Sequence, residues 1–131
     1  MLPQMIEYEN KKVHISYMLM AGMKKNIDLY IIRHKESEFS RVISAVCEFY
    51  QLTFEQLKNR SRRHEILIPR QMCMYLLARN TTMSLSDIGE RFGGFDHTSV
   101  INAREKIQDL VDTEERMKNI VQTLEEKIIN N

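Results

Sequence analysis

The chain has 131 residues, 43% hydrophobic and 28% charged, with a formal net charge of +1. That balance excludes a disordered tail, and the length suffices to bury a core without disulfide or metal staples. No apolar run reaches membrane-spanning length, and the opening MLPQMIEYENKK holds no signal-peptide core, so a cytoplasmic protein is expected.

The near-zero charge hides an asymmetry. Lys58, Arg60, Arg62, Arg63, Arg70 and Arg79 face a single acid, Glu65, between residues 58 and 79. From residue 108 onward Asp109, Asp112, Glu114, Glu115, Glu125 and Glu126 outnumber Arg116, Lys118 and Lys127. A local basic patch attracts phosphates whatever the overall charge. Cys47 and Cys73 both lie in apolar helical patterns and read as packed free thiols of a reducing compartment.

Residues 1–35 form an N-terminal extension, expected to be helical over about 15–33. Val13 and Ile15 equally suit the start of a strand. Its methionine-rich stretch serves either to cover core or to meet a partner, with core the preferred reading. Ser37 opens an amphipathic helix with Phe39, Val42, Ile43, Val46, Phe49 and Tyr50 on one face. Thr53 and Gln56 make a capping-box pattern for a short helix.

A polar loop follows, Lys58-Asn59-Arg60-Ser61-Arg62-Arg63-His64. Cations so dense suit DNA backbone contacts or insertion of an arginine into a narrow minor groove, although an isolated basic run is usually only a solvated face. The next helix passes through Pro69, placed in its first turn, presents Met72, Cys73, Leu76 and Leu77 inward, and ends at Asn80-Thr81-Thr82.

Residues 84–110 then read as two helices joined at a glycine pair. Ser84 is an N-cap with Asp87 in the first turn, and Leu85, Ile88 and Phe92 form one apolar stripe. Gly93-Gly94 stops that helix. Asp96 caps a second helix whose inner face is Val100, Ala103, Ile107 and Leu110. This is a helix-turn-helix layout, and in such units the first residues of the second helix reach base edges or phosphates. Here those residues are Asp96, His97, Thr98 and Ser99. The bland alternative is a capped surface helix, and the adjacent basic loop tips the reading to DNA. The final segment, 112–131, is an amphipathic helix with Met117, Ile120, Val121, Leu124 and Ile128 on one face. That face packs either on the N-terminal extension or on a second chain, the intramolecular arrangement being preferred.

From about Phe39 to Leu110 the sequence resembles the C-terminal DNA-binding domain of the bacterial replication initiator DnaA. The resemblance rests on Tyr50-Gln51-Leu52-Thr53, the basic loop, Pro69-Arg70-Gln71-Met72, Ser84-Leu85-Ser86-Asp87-Ile88-Gly89 and, above all, Phe92-Gly93-Gly94-Phe95-Asp96-His97-Thr98-Ser99-Val100. It implies an all-α, Trp-repressor-like helix-turn-helix bundle over residues 36–111, with extra helices at both ends, that binds double-stranded DNA at DnaA-box-like sites and is nucleoid-associated.

The resemblance also implies roles. Arg62 aligns with a minor-groove arginine of the loop, and Asp96, His97, Thr98 and Ser99 with residues that meet bases and phosphates in the major groove. Leu85 and Ser86 lie near the DNA backbone, and Arg70 is a backbone-facing arginine. Arg60, Arg63 and Arg79 complete the expected binding set. Two positions depart from the family: Phe95 and Ala78 stand where basic residues are usual. Each lost phosphate contact flattens the salt dependence of binding by ~0.9 log units.

The only glycines are Gly22, Gly89, Gly93 and Gly94, so the chain carries no phosphate-cradling loop and is expected to lack ATPase activity. No catalytic residue, metal or cofactor is expected. His14, His34, His64 and His97 show no ligand spacing with the cysteines, and adjacent helical residues such as Asp96 and His97 do not face each other. The leading expectation is an accessory replication or regulatory factor that reads DNA. The alternative is a helical adaptor that binds an initiator or another partner, with little DNA binding of its own; the terminal helices are also candidates for a homodimer or protein contact.

Overall fold

In the computed structural model residues 5–8, 11–14 and 24–130 are described, with side-chain environments given for His34 and from Glu36 onward. The described chain comprises a two-stranded hairpin, β1 (Met5–Tyr8) and β2 (Lys11–His14), and six helices. These are α1 (Lys24–Tyr50), α2 (Phe54–Lys58), α3 (His64–Asn80), α4 (Leu85–Arg91), α5 (His97–Thr113) and α6 (Glu115–Asn130). Contacts divide the chain into two units, Met1–Ser37 and Glu38–Asn131, the second entirely helical where described.

In the first unit the helical expectation for residues 1–35 holds only from Lys24; residues 15–23 lie outside the described residues. The antiparallel register sets Ile6 opposite Val13 and Glu7 opposite Lys12. Four-residue strands are too short to betray a period. Nor does α1 open at Ser37. It begins at Lys24, because no glycine or proline interrupts the chain between Gly22 and Tyr50.

The end of α1 is made by Gln51, at φ 57°, in the left-handed region where glycine is usual. Leu52 N–H donates back to the Cys47 carbonyl at 3.0 Å, closing the helix in the Schellman manner. Thr53 then caps α2 with the full reciprocal box: its hydroxyl accepts from Gln56 N–H at 3.2 Å, while Gln56 Oε1 accepts from Thr53 N–H at 2.8 Å.

Helix α3 runs through the middle of the second unit. Met72, Cys73, Met74, Tyr75, Leu76 and Leu77 are all buried, so the helix has no solvent face there and its periodicity is weak. Pro69 is not in its first turn, since α3 starts at His64, five residues earlier than a proline-opened helix would. Around α3 pack Phe39, Val42, Ala45 and Val46 of α1, Leu57 of α2, Ile88 of α4, and Val100, Ala103 and Ile107 of α5. Met117, Val121, Leu124 and Ile128 of α6 close the core. The apolar face of α6 is buried within its own unit, against α5 and α3.

Candidate nucleic-acid interface

The turn between α4 and α5 is fixed by local chemistry. Ser84 Oγ accepts from Asp87 N–H at 3.1 Å, which starts α4. Gly93 and Gly94, both at φ 91°, reverse the chain after Phe92. Phe95 N–H then donates to the Gly89 carbonyl at 3.0 Å, so the turn folds back onto α4 itself. Asp96 Oδ1 accepts from Ser99 N–H at 3.0 Å and opens α5. That backbone hydrogen bond favours the ionised carboxylate and holds the Asp96 pKa below its ordinary value. His97 and Thr98 follow as exposed residues on the first turn, with Ser99 half-buried.

The basic loop is held against this turn. Asn59 Oδ1 accepts from Ser61 N–H at 3.0 Å and Ser61 Oγ from Arg63 N–H at 3.1 Å, so two short polar side chains shape the loop. Arg60 Nη2 donates to the carbonyls of Gly93 and Gly94, each at 3.2 Å, and its guanidinium lies 4.4 Å from the centre of the Phe95 ring. Arg70 lies over the same ring at 5.1 Å. Its guanidinium donates to the Asn59 carbonyl and, at 3.2 Å, to that of Ser61. Burial, reinforced by the neighbouring Arg60 charge, lowers the Arg70 pKa.

These contacts sort the expected cations. Arg62 is exposed and makes no hydrogen bond or ion pair with any described residue. The Arg63 side chain, also exposed, meets only Glu65 among the described residues, at 3.4 Å. Arg60 and Arg70 grip carbonyl oxygens, which leaves their charge in place but commits part of their donors. Arg70, 5% exposed, is a brace of the loop rather than an open arm toward phosphates.

Arg79 departs furthest from expectation. Its guanidinium pairs with Glu125 of α6 at 3.1 Å and donates to the Tyr75 hydroxyl at 3.1 Å, so its charge is matched by a carboxylate within the fold. Leu85 is half-buried against the core, while Ser86 beside it is exposed at the start of α4.

A shallow cleft of about 190 Å³ separates α3 from α5, with Arg70, Gln71, Phe95, Ser99 and Asn102 along its walls. Gln71 Oε1 is buried there without a hydrogen-bond partner among the described residues. Gln71 and Asn102 lie outside the expected set. The one signal for Gln71 is its place directly after Arg70, and Asn102 has none beyond lying one helical turn after Thr98 and Ser99. Among the described residues no group of His, Cys, Asp and Glu is arranged to hold a metal, and no helix is long and apolar enough to cross a membrane.

Against protein families, residues 39–107 match the model of the bacterial DnaA protein helix-turn-helix, over more than half of the chain. The chain belongs to this family. Its DnaA relatives are named as chromosomal replication initiator proteins. That of a Thermus thermophilus strain is 35% identical over 99 residues, covering 76% of this chain and 23% of the relative. That of Latilactobacillus sakei is 41% identical over 113 residues, 85% of this chain and 25% of the relative. The Lacticaseibacillus casei protein reaches 45% over 78 residues, 60% of this chain and 17% of the relative. The chain therefore spans a quarter or less of the length of these relatives. What it shares with them is the DNA-binding helix-turn-helix domain of DnaA.

Proposed function

We propose that this chain reads double-stranded DNA at DnaA-box-like sites and acts by occupying them, as an accessory replication or regulatory factor without catalysis of its own. The first turn of α5 enters the major groove, where Thr98 offers a methyl to thymine and His97 and Ser99 offer hydrogen bonds to bases or phosphates. Asp96 is engaged as the cap of α5 through Oδ1, and its carboxylate is the acceptor a cytosine amino group would meet. Arg62 enters the adjacent minor groove, and Arg63, Ser86 and the start of α4 lie along the backbone.

The observation that carries this reading is the bonding of Arg60 to Gly93 and Gly94. It ties the loop bearing Arg62 to the turn that launches the α5 tip, so both DNA-facing elements share one anchorage. Arg79 has no part in the set, because its charge is matched by Glu125. A single module of this type buries about 600–1,000 Å² of protein surface on DNA.

The test is fluorescence anisotropy on a labelled duplex bearing one box recognised by a DnaA relative, against a scrambled duplex, at two salt concentrations. Preferred binding to the box is expected, with Thr98→Ala relaxing the preference by ~1–3 kcal/mol. Equal binding to both duplexes would refute sequence reading, and no binding at low salt would refute the function.

A further inference from the structure

We propose that Phe95 is a positioning residue for DNA recognition: by seating Arg60 and Arg70 on its ring it pre-orders the Asn59–Arg63 loop and so presents Arg62 to the duplex. This rests on the DNA-reading function proposed above and assigns one of its working parts.

The loop between α2 and α3 has no regular structure, and an unrestrained loop loses backbone freedom when it docks. Here it is restrained before any DNA arrives. Arg70 holds the carbonyls of Asn59 and Ser61, which flank residue 60, and Arg60 holds the glycine carbonyls of the turn. Both guanidiniums meet at one aromatic ring, at 4.4 and 5.1 Å from its centre. Arg62 sits between two anchored residues, its predecessor's carbonyl on Arg70 and its successor's N–H on Ser61 Oγ. It alone among the loop arginines is left with no partner in the described fold.

The identity of residue 95 decides whether this can happen. Two guanidiniums near each other repel, and the electron-rich ring face offsets that repulsion without adding charge. An arginine or lysine at 95 would bring a third cation to the same place and free Arg60 or Arg70 from it. With phenylalanine the site gives up a phosphate contact and gains a loop already shaped for binding. Affinity then depends on the coupling between Phe95 and Arg62, although the two side chains make no contact with each other among the ring and hydrogen-bond contacts of the loop.

A double-mutant cycle on the full chain reads this coupling, using the same one-box duplex. In the wild type, Arg62→Ala is expected to weaken binding about tenfold, equivalent to about 1.4 kcal/mol. In the Phe95→Leu background the same change is expected to weaken it about threefold or less, since the arginine is no longer presented. Phe95→Leu itself lowers affinity and also lowers the slope of log K against log salt, by up to the ~0.9 of the Arg62 contact that it weakens.

Amide exchange at Ser61–Arg63 in the free protein should quicken in Phe95→Leu. Arg60→Met, at an exposed position, removes the same anchorage without touching the core and should reproduce both effects. Equal losses from Arg62→Ala in all three backgrounds, or unchanged exchange in both loop variants, overturn the proposal. Wild-type protein that binds no duplex would overturn the proposed function instead, and the exchange measurement would still judge whether Phe95 orders the loop.

Discussion

Gly89 of α4 and Phe95 of the turn meet so closely that no side chain fits between them. A Cβ on Gly89 would stand 2.0 Å from the Phe95 carbonyl oxygen and 3.2 Å from that of Asp96, and the Phe95 N–H already bonds the Gly89 carbonyl. The obstruction is backbone, which cannot rotate aside as a side-chain tip would. Gly89→Ala therefore has to move the start of α5, at a cost at or above the ~1–3 kcal/mol of ordinary overpacking. Gly93→Ala meets no atom within 4 Å and carries only the penalty of its positive φ, about 1–3 kcal/mol. Urea unfolding of both variants should rank Gly89→Ala as the more damaging for stability. It should also show Gly89→Ala losing DNA affinity at temperatures where it is still folded.

The arginines differ in what their removal does to salt dependence. Arg62 has no partner among the described residues, so under the proposed function its counter-charge is the DNA, whereas Arg79 is paired with Glu125 at 3.1 Å. Arg62→Ala is expected to lower the slope of log K against log salt by about 0.9 and Arg79→Ala to leave it unchanged. A salt titration of anisotropy decides this, and a matching drop for Arg79→Ala would mean that Glu125 releases it on DNA.

Asp96 makes the helix cap pH-dependent in a known direction. Its pKa is depressed in the folded protein, chiefly by the Ser99 N–H, so the unfolded chain takes up the proton first as pH falls. The stabilisation is complete above about pH 4, the unfolded value, and is lost as pH drops through the lower folded value. Asp96→Asn keeps an acceptor for Ser99 but does not titrate. The gap in Tm between wild type and Asp96→Asn should therefore be widest near about pH 6 and narrow on acidification toward about pH 3. A gap that widens on acidification would show that the carboxylate is not what the cap uses.

What was readable in the sequence was short-range. Thr53, Ser84 and Asp96 each act within three residues, so their caps are written locally, as is the Gly93-Gly94 stop. The inward faces of α5 and α6 were readable because those helices keep a solvent side. Helix α3 does not, so Met74 and Tyr75 joined its buried set without a periodic warning. The fates of the arginines depended on distant partners: Gly93 lies 33 residues from Arg60, and Glu125 lies 46 from Arg79. No local pattern separates a cation aimed at DNA from one aimed at a carbonyl or a carboxylate of its own chain. Phe95 appeared in the sequence chiefly as a missing charge, and its place under two guanidiniums emerged once the loop and the turn came together.

The two thiols should prove inert in the native protein, in a fixed order. Cys73 is fully buried, and burial, aided by the nearby Cys47, pushes its pKa well up; partial burial raises that of Cys47 less markedly. Thiolate is the reactive form, so both shifts oppose modification at neutral pH. Iodoacetamide labelling followed by mass spectrometry should find Cys47 modified slowly and Cys73 only as fast as the domain unfolds, with both labelled rapidly in urea. Because Cys73 acts as a small apolar side chain, Cys73→Ala leaves only a small void. Cys73→Ser buries a hydroxyl among Met72, Met74 and Leu77 and is expected to cost more, ~1–3 kcal/mol where no acceptor is found. Serine matching alanine in an unfolding titration would mean that the hydroxyl finds a backbone carbonyl of α3 to donate to.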